Sequence, residues 1–310
     1  MLRNRAGTVL LTALAPALWG TTYYVTTQFL PPDRPLLAGA ARALPAGLLL
    51  LVITRRLPHG SWWWRSLVLG TLNIGASFAL LFVAAYRLPG GVAATIGALQ
   101  PLLVAALSSG LLGERLSTRT LLTGLAGVAG VSLLVLRANA QLDGWGLLAA
   151  LGNTVAMATG VVLSKRWSSP APLAGVGWQL IAGGLLLVPL ALLTEGLPPD
   201  GLTGRNLVGY GYLTLVGGAF TYALWFRGIR SLAPTQVAFL VLLSPLVATL
   251  VGWLALGQSL TIAQLLGALV IVAALVLAQV RPRRNGAQPH RRIRSRIPGP
   301  SRAGGSRLRW

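Results

Sequence analysis

Gln100-Pro101-Leu102, followed by Leu112-Gly113-Glu114-Arg115-Leu116, returns in the chain as Ser244-Pro245-Leu246, followed by Leu256-Gly257-Gln258-Ser259-Leu260. Both parts of this frame recur at a constant separation of 144 residues. Each proline stands mid-way along an apolar segment of membrane length. A proline in a helix interior removes one backbone hydrogen bond and kinks the helix, at about 3 kcal/mol in water. Membrane helices accept this where neighbours or a cavity satisfy the freed carbonyl. Interrupted segments in corresponding positions of two halves point to a transporter's binding site.

The composition around this frame excludes an ordinary soluble domain. Hydrophobic residues make up 54% of the 310 residues and charged residues 10%, against about 25% charged in soluble domains. The five acids, Asp33, Glu114, Asp143, Glu195 and Asp200, all fall between or at the ends of apolar runs. Runs of about 20 apolar residues read as transmembrane helices. The pattern predicts ten of them, near residues 8–28, 35–54, 64–86, 91–112, 119–137, 144–164, 173–194, 206–226, 233–255 and 260–280. The fold class is an all-α membrane protein of ten transmembrane helices. Turn formers connect the helices, as in Pro31-Pro32-Asp33 and Pro198-Pro199-Asp200-Gly201. The first helix is expected to be retained, since Pro16 spoils the cleavage pattern of Ala13-Leu14-Ala15.

Loop charges orient the bundle. With a cytoplasmic N-terminus, the inner segments before residue 281 hold 11 basic residues and the outer loops hold Arg34, Arg87, Arg137 and Arg205. The positive-inside rule therefore places both termini in the cytoplasm. Five helices per half is an odd number, so the second half enters the membrane from the opposite side. The repeat is inverted, with residues 1–137 as the first half, 138–143 as a connecting loop and 144–280 as the second half. Residues 281–310 hold ten arginines and no acid, a composition that cannot build a core and reads as a disordered basic cytoplasmic tail. That tail is either a solvated segment that enforces topology or an attachment to anionic lipids. Without an aromatic-basic module it does not point to nucleic acid. A chain rich in arginine, alanine, glycine and leucine suggests a GC-rich bacterium, hence its inner (plasma) membrane.

Arg42 is the only charge inside an expected span away from its ends. Such a residue costs about 2.5–3.5 kcal/mol on insertion scales and requires a partner. No carboxylate lies within a span, so backbone carbonyls, water or an anionic substrate group remain. Arg42 is therefore either a substrate contact or a structural arginine bonded to carbonyls. Trp19, Thr22, Tyr23 and Thr26 share one face of the first helix, and Asn73 and Ser77 one face of the third. Tyr210, Thr214, Thr221 and Trp225 share a face of the eighth, and Asn153 and Thr154 lie mid-way along the sixth. Polar groups avoid lipid, so these faces point inward, where they line a cavity or join helices. The candidate cavity set is Trp19, Thr22, Tyr23, Arg42, Asn73, Ser77, Gln100, Asn153, Thr221, Trp225 and Ser244, with Pro101 and Pro245 as helix-bending residues. Trp62, Trp63 and Trp64 beside Arg65 read as an interfacial anchor. Gly124, Gly127, Gly130 and Gly267 read as sites of close helix contact.

Other chemistries lack their parts. There is no cysteine, and His59 and His290 lie in a loop and in the tail, so no metal site or cofactor is expected. No intramembrane Ser–His pair and no nucleotide-binding loop occurs, so neither a hydrolase nor a direct ATP-driven pump is expected. Three classes fit a chain of this kind: a secondary transporter, a passive channel, and a non-transporting membrane regulator or scaffold. Polar groups concentrated at mid-span favour the first. Its partners are a small-molecule solute and the lipid bilayer.

The two halves resemble EamA domains of the drug/metabolite transporter superfamily. The likeness rests on Ala15-Pro16-Ala17-Leu18-Trp19-Gly20, on the Pro101–Leu116 and Pro245–Leu260 frames, and on Phe82-Val83-Ala84-Ala85-Tyr86-Arg87-Leu88-Pro89-Gly90-Gly91, which is similar to the PecM branch. The resemblance covers about residues 8–280. It implies ten helices around a central cavity, cytoplasmic termini and secondary transport of small organic solutes, with export as the direction. Many members carry glutamate after the glycine in both halves. Here Gln258 replaces the second, so Glu114 and Gln258 do not have equal roles.

Overall fold

The computed structural model describes residues 2–88, 90–135, 143–196 and 201–280. The expected tail, most of the expected connecting loop and the Pro198-Pro199-Asp200 turn lie outside them. All regular structure in the described residues is helical. In chain order the helices are α1 (Leu2–Gly20), α2 (Thr22–Phe29), α3 (Pro35–Thr54), α4 (Trp62–Gly70), α5 (Ala76–Arg87), α6 (Gly90–Gly97), α7 (Gln100–Leu112) and α8 (Thr118–Val135). They continue as α9 (Gly144–Arg166), α10 (Pro172–Thr194), α11 (Gly204–Tyr212), α12 (Thr221–Ser231), α13 (Pro234–Leu240), α14 (Leu243–Leu256) and α15 (Ile262–Gln279). A π-helical stretch joins α4 to α5 at Thr71–Gly75, and a second joins α11 to α12 at Leu213–Phe220.

Among the described residues, nine helices or joined helix pairs are long and apolar enough to cross a membrane. They correspond to the second through tenth expected spans. The first differs: α1 breaks at Thr21 before α2 begins. Its opening Arg3-Asn4-Arg5 is polar, which leaves a short apolar run ahead of the break.

The fourth and ninth spans are each two helices. Between α6 and α7, the N–H of Leu99 donates to Ile96 O at 3.0 Å. Between α13 and α14, that of Leu242 donates to Phe239 O at 3.1 Å. Both are tight i→i−3 turns. The interruptions therefore stand just ahead of the prolines. Pro101 and Pro245 lie in the first turn of the new helix, where a missing N–H costs nothing. The two breaks also end alike. Gly113 and Gly257 adopt left-handed conformations, with φ of 70° and 64°, and the N–H groups of Glu114 and Gln258 reach back to Ser108 O and Gly252 O, both at 3.2 Å. This is the glycine-closed helix end that favours a residue without Cβ.

Glycines set how closely the spans approach. A Cβ on Gly47 of α3 would lie 2.8 Å from the backbone N of Ile181 and 2.9 Å from Gly177 O of α10. One on Gly267 of α15 would lie 2.6 Å from Gly130 O of α8. Gly124 faces Leu102 and Gly127 faces Leu242, so the expected glycine contacts form. Leu102 and Leu242 each lie beside one of the two breaks. They seat one turn apart on α8, a rise of about 4.5 Å, near the middle of that helix.

The ends of the bundle differ in charge. At one end Arg119 donates to Leu277 O at 2.6 Å and Gln279 donates to Gln236 O at 3.0 Å. There too, Lys165 donates to Arg230 O at 2.6 Å and Leu232 O at 3.0 Å. Glu114 faces Lys165 at this end. Partial burial holds its carboxyl above the usual range, against the opposing pull of Lys165. At the other end Glu195 accepts from the N–H of Leu37 at 2.8 Å and also from Leu36, capping α3. Asn206 donates to Phe29 O at 2.8 Å, and Arg87 pairs with Asp143 at 3.6 Å.

Two outcomes follow from this packing. Gly47→Val forces α3 from α10 and lowers stability by about 1–3 kcal/mol, read as a lower thermal midpoint in detergent, whereas Gly110→Ala, inside α7 and meeting nothing within 4 Å, does not lower the midpoint and raises it slightly through helix propensity. For Glu114 the raised pKa means that the folded state holds its proton more tightly than the unfolded state. Its contribution is present in acid and is lost as pH rises through the folded value. Glu114→Gln therefore flattens the pH dependence of the midpoint from the ordinary glutamate range upward.

Candidate functional site

Arg42 reaches across from α3 to the π stretch of the eighth span. Its Nε donates to Gly217 O at 3.0 Å. The same carbonyl accepts from Trp19 Nε1 of α1 at 3.1 Å and from the hydroxyl of Thr221 at the start of α12. Trp19 Nε1 also donates to Thr221 Oγ1 at 3.0 Å. Three elements thus converge on one carbonyl. The local reason is the π stretch, whose i→i+5 bonding loosens the ordinary ladder and turns carbonyls toward outside donors. Glycine at 218 lets α3 come close, since a Cβ there would lie 2.7 Å from Arg42 O.

Aromatic rings complete the surroundings of the guanidinium. Arg42 Cζ lies 5.8 Å from the ring centre of Trp19, 5.6 Å from Phe78 and 5.6 Å from Tyr222. Trp19 packs in turn on Tyr222 at 5.1 Å and on Trp225 at 5.3 Å. Arg42 is 8% exposed, yet among the described residues no carboxylate pairs with it, and its one protein hydrogen bond is made through Nε. The two terminal amino groups carry donor capacity that no described side chain takes up. A buried, aromatic-walled guanidinium with spare donors can bind an anionic group whose attached body is flat and apolar.

The structure gathers Trp19, Arg42, Thr221 and Trp225 from the expected set. Phe78, Tyr222 and Gly217 join them and were not anticipated. Tyr222 lies one residue off the predicted face of the eighth helix. The π stretch rotates the residues that follow it, and an ideal 3.6-residue wheel does not register that rotation. Phe78 had only its position next to Ser77 to mark it.

Asn73 lies elsewhere. Its Nδ2 donates to Ser164 Oγ at 3.2 Å and to Gln179 Oε1 at 3.1 Å, which ties the third, sixth and seventh spans together. Ser77 is buried and donates to Ile74 O at 3.2 Å. Thr154 donates to Ala150 O at 2.7 Å, within its own helix. These groups serve packing in this conformation. Gln100 is buried at the start of α7, and its Nε2 has no partner among the described residues; Thr22 Oγ1 is in the same position. Asn153 and Ser244 are partly buried. Ser244 O lies where a Cβ on Gly20 would come within 2.6 Å, so the ninth-span break abuts the end of α1. The side chain of Tyr23 lies outside those described.

Comparison with known proteins agrees with the fold and the paired halves. The EamA-like transporter family model matches residues 6–136 and again residues 144–279. Protein PecM of Dickeya dadantii is 48% identical over 268 residues, covering 86% of this chain and 90% of that protein. An uncharacterized inner membrane transporter of Escherichia coli, YedA, is 28% identical over 270 residues, covering 84% of this chain and 86% of its own. A crystal structure of a protein chain superposes with a TM-score of 0.75 at 21% identity, over 88% of this chain and 97% of the other, which supports the fold. With its multiple apolar helices and a family match in each half, the chain belongs to the EamA-like transporter family of multi-pass membrane transporters.

Proposed function

We propose that this protein is a secondary transporter that moves a small, partly apolar organic anion by alternating access. Arg42 is the observation that carries the reading. A buried cation with no acid beside it among the described residues, walled by Trp19, Phe78 and Tyr222, suits a solute carboxylate or similar group attached to a ring or chain. Thr221 and Trp225 support the wall through Trp19. The solute enters a bundle of ten spans, with α1 and α2 forming the first, arranged as two inverted halves around the cavity.

The paired family match supports two repeats. The matching breaks before Pro101 and Pro245, and the π stretches in the third and eighth spans, support their equivalence. The breaks meet α8 near its middle, where two half-helices can tilt against their partners while the other halves stay packed. Gln100, with its unpartnered amide nitrogen, is a second polar contact for the solute. Asn73, Ser77 and Asn153 belong to the surfaces that rearrange. The basic end of the bundle faces the cytoplasm of a bacterial cell. Export is the direction, as the resemblance to the PecM branch suggests.

A pore reading requires a continuous polar lining, whereas Phe239, Trp225 and Val104 are fully buried in the bundle. A scaffold has no use for an unpaired mid-bundle arginine.

Binding tests the site directly. Aromatic carboxylates raise the thermal midpoint of the purified wild type, and their neutral amides do not. Arg42→Gln abolishes the carboxylate response, while Thr194→Val, at an exposed hydroxyl that bonds within its own helix, keeps it. A carboxylate response that survives Arg42→Gln in folded protein removes Arg42 from the solute site.

A further inference from the structure

A second arginine has no acid partner among the described residues, and its surroundings are built differently. The α4 helix opens with Trp62, Trp63, Trp64 and Arg65. Trp62 turns into the bundle and packs on Trp178 at 6.0 Å. The Nε1 of Trp178 fixes that ring by donating to Arg56 O at 2.7 Å. Trp64 turns outward and meets Trp167 of the sixth span's end edge-on at 5.0 Å. Arg65 lies among these rings, its Cζ 5.7 Å from Trp62, 5.6 Å from Trp64 and 5.7 Å from Trp167.

An interfacial anchor alone needs only the indoles, and its arginine extends to water. Here the Arg65 Nε is buried with no acceptor. No carboxylate among the described residues lies within ion-pair distance of it. The indole faces attract the cation but do not accept the N–H groups in its plane. The charge is held in place on a partly buried side chain, yet its Nε–H lacks a counterpart among the described residues.

The position narrows what the counterpart is. Trp167 directly follows Lys165 and Arg166, so the cluster belongs to the basic end of the bundle. On its outer side Trp63 and Leu67 are 60% and 53% exposed, apolar surface that in a membrane protein meets acyl chains. A ligand with an oxyanion at one end and hydrocarbon at the other matches both features. A zwitterionic headgroup brings its own cation toward Arg65 and a strongly basic surface, whereas an anionic headgroup does not.

We propose that Arg65, caged by Trp62, Trp64 and Trp167, is a binding site for the headgroup of an anionic phospholipid, with the acyl chains lying along Trp63 and Leu67. The site is separate from the Arg42 junction and does not depend on which solute the protein carries.

The test is thermal unfolding of the purified full chain in detergent, with added phosphatidylglycerol, phosphatidylcholine or inorganic phosphate. Phosphatidylglycerol raises the wild-type midpoint several degrees more than phosphatidylcholine at equal mole fraction. Arg65→Gln loses most of that excess. Trp64→Ala, at a half-exposed position that leaves the core intact, loses a large part of it. Arg115→Gln, an exposed arginine at the same end, keeps it. The proposal is overturned if Trp64→Ala and Arg65→Gln retain the full excess, if Arg115→Gln loses as much as they do, or if inorganic phosphate alone reproduces the wild-type shift. Should Arg65→Gln fail to fold, Trp64→Ala decides.

Discussion

A guanidinium buried in an apolar bundle without a carboxylate constrains everything around it. At Arg42 the insertion cost is about 2.5–3.5 kcal/mol. A hydrogen bond from a charged donor returns about 1.5–3 kcal/mol, and a desolvated cation–π contact can reach about 2 kcal/mol. The Gly217 carbonyl and three rings therefore hold the side chain without an internal anion. Several other features serve that arrangement. The π stretch presents the carbonyl, Gly218 admits α3, and Trp19 is fixed by the same carbonyl and by Thr221. An acid at this point would have neutralised the site; its absence leaves the charge available to something that arrives.

Close backbone approach is the second constraint. The bundle excludes water where glycines let helices touch, as between α3 and α10 and between α8 and α15. Breaks and π stretches fall in other spans, the third, fourth, eighth and ninth. The third and eighth spans are glycine-packed as well, at Gly70 against Gln179 O of α10 and at Gly218 against Arg42 O of α3. A layout with firm pairs and weak points near the middle of α8 suits a protein that alternates between two openings.

Much of this was legible in the chain. Apolar runs marked the spans, because burial in lipid demands length and hydrophobicity in one local stretch. Arg119 donates to Leu277 O near the end of α15, and Lys165 to Arg230 O. Arg42 stood out because charge in a span is costly wherever it occurs. The π stretches were not legible, since their bonding depends on neighbours far away in sequence, and Tyr222 was missed with them. Asn73 looked like a cavity residue by spacing, yet Ser164 and Gln179, remote in the chain, satisfy it. The prolines located the breaks to within a turn. The tight turn precedes them because a proline tolerates the start of a helix better than its middle.

The central claim is that a solute is carried, and flux through purified protein tests it most directly. Proteoliposomes loaded with an unlabelled aromatic carboxylate and exposed to its labelled form should show saturable uptake accelerated by the internal pool. Uptake that rises linearly with concentration and ignores the internal pool would contradict a carrier and make the protein a pore.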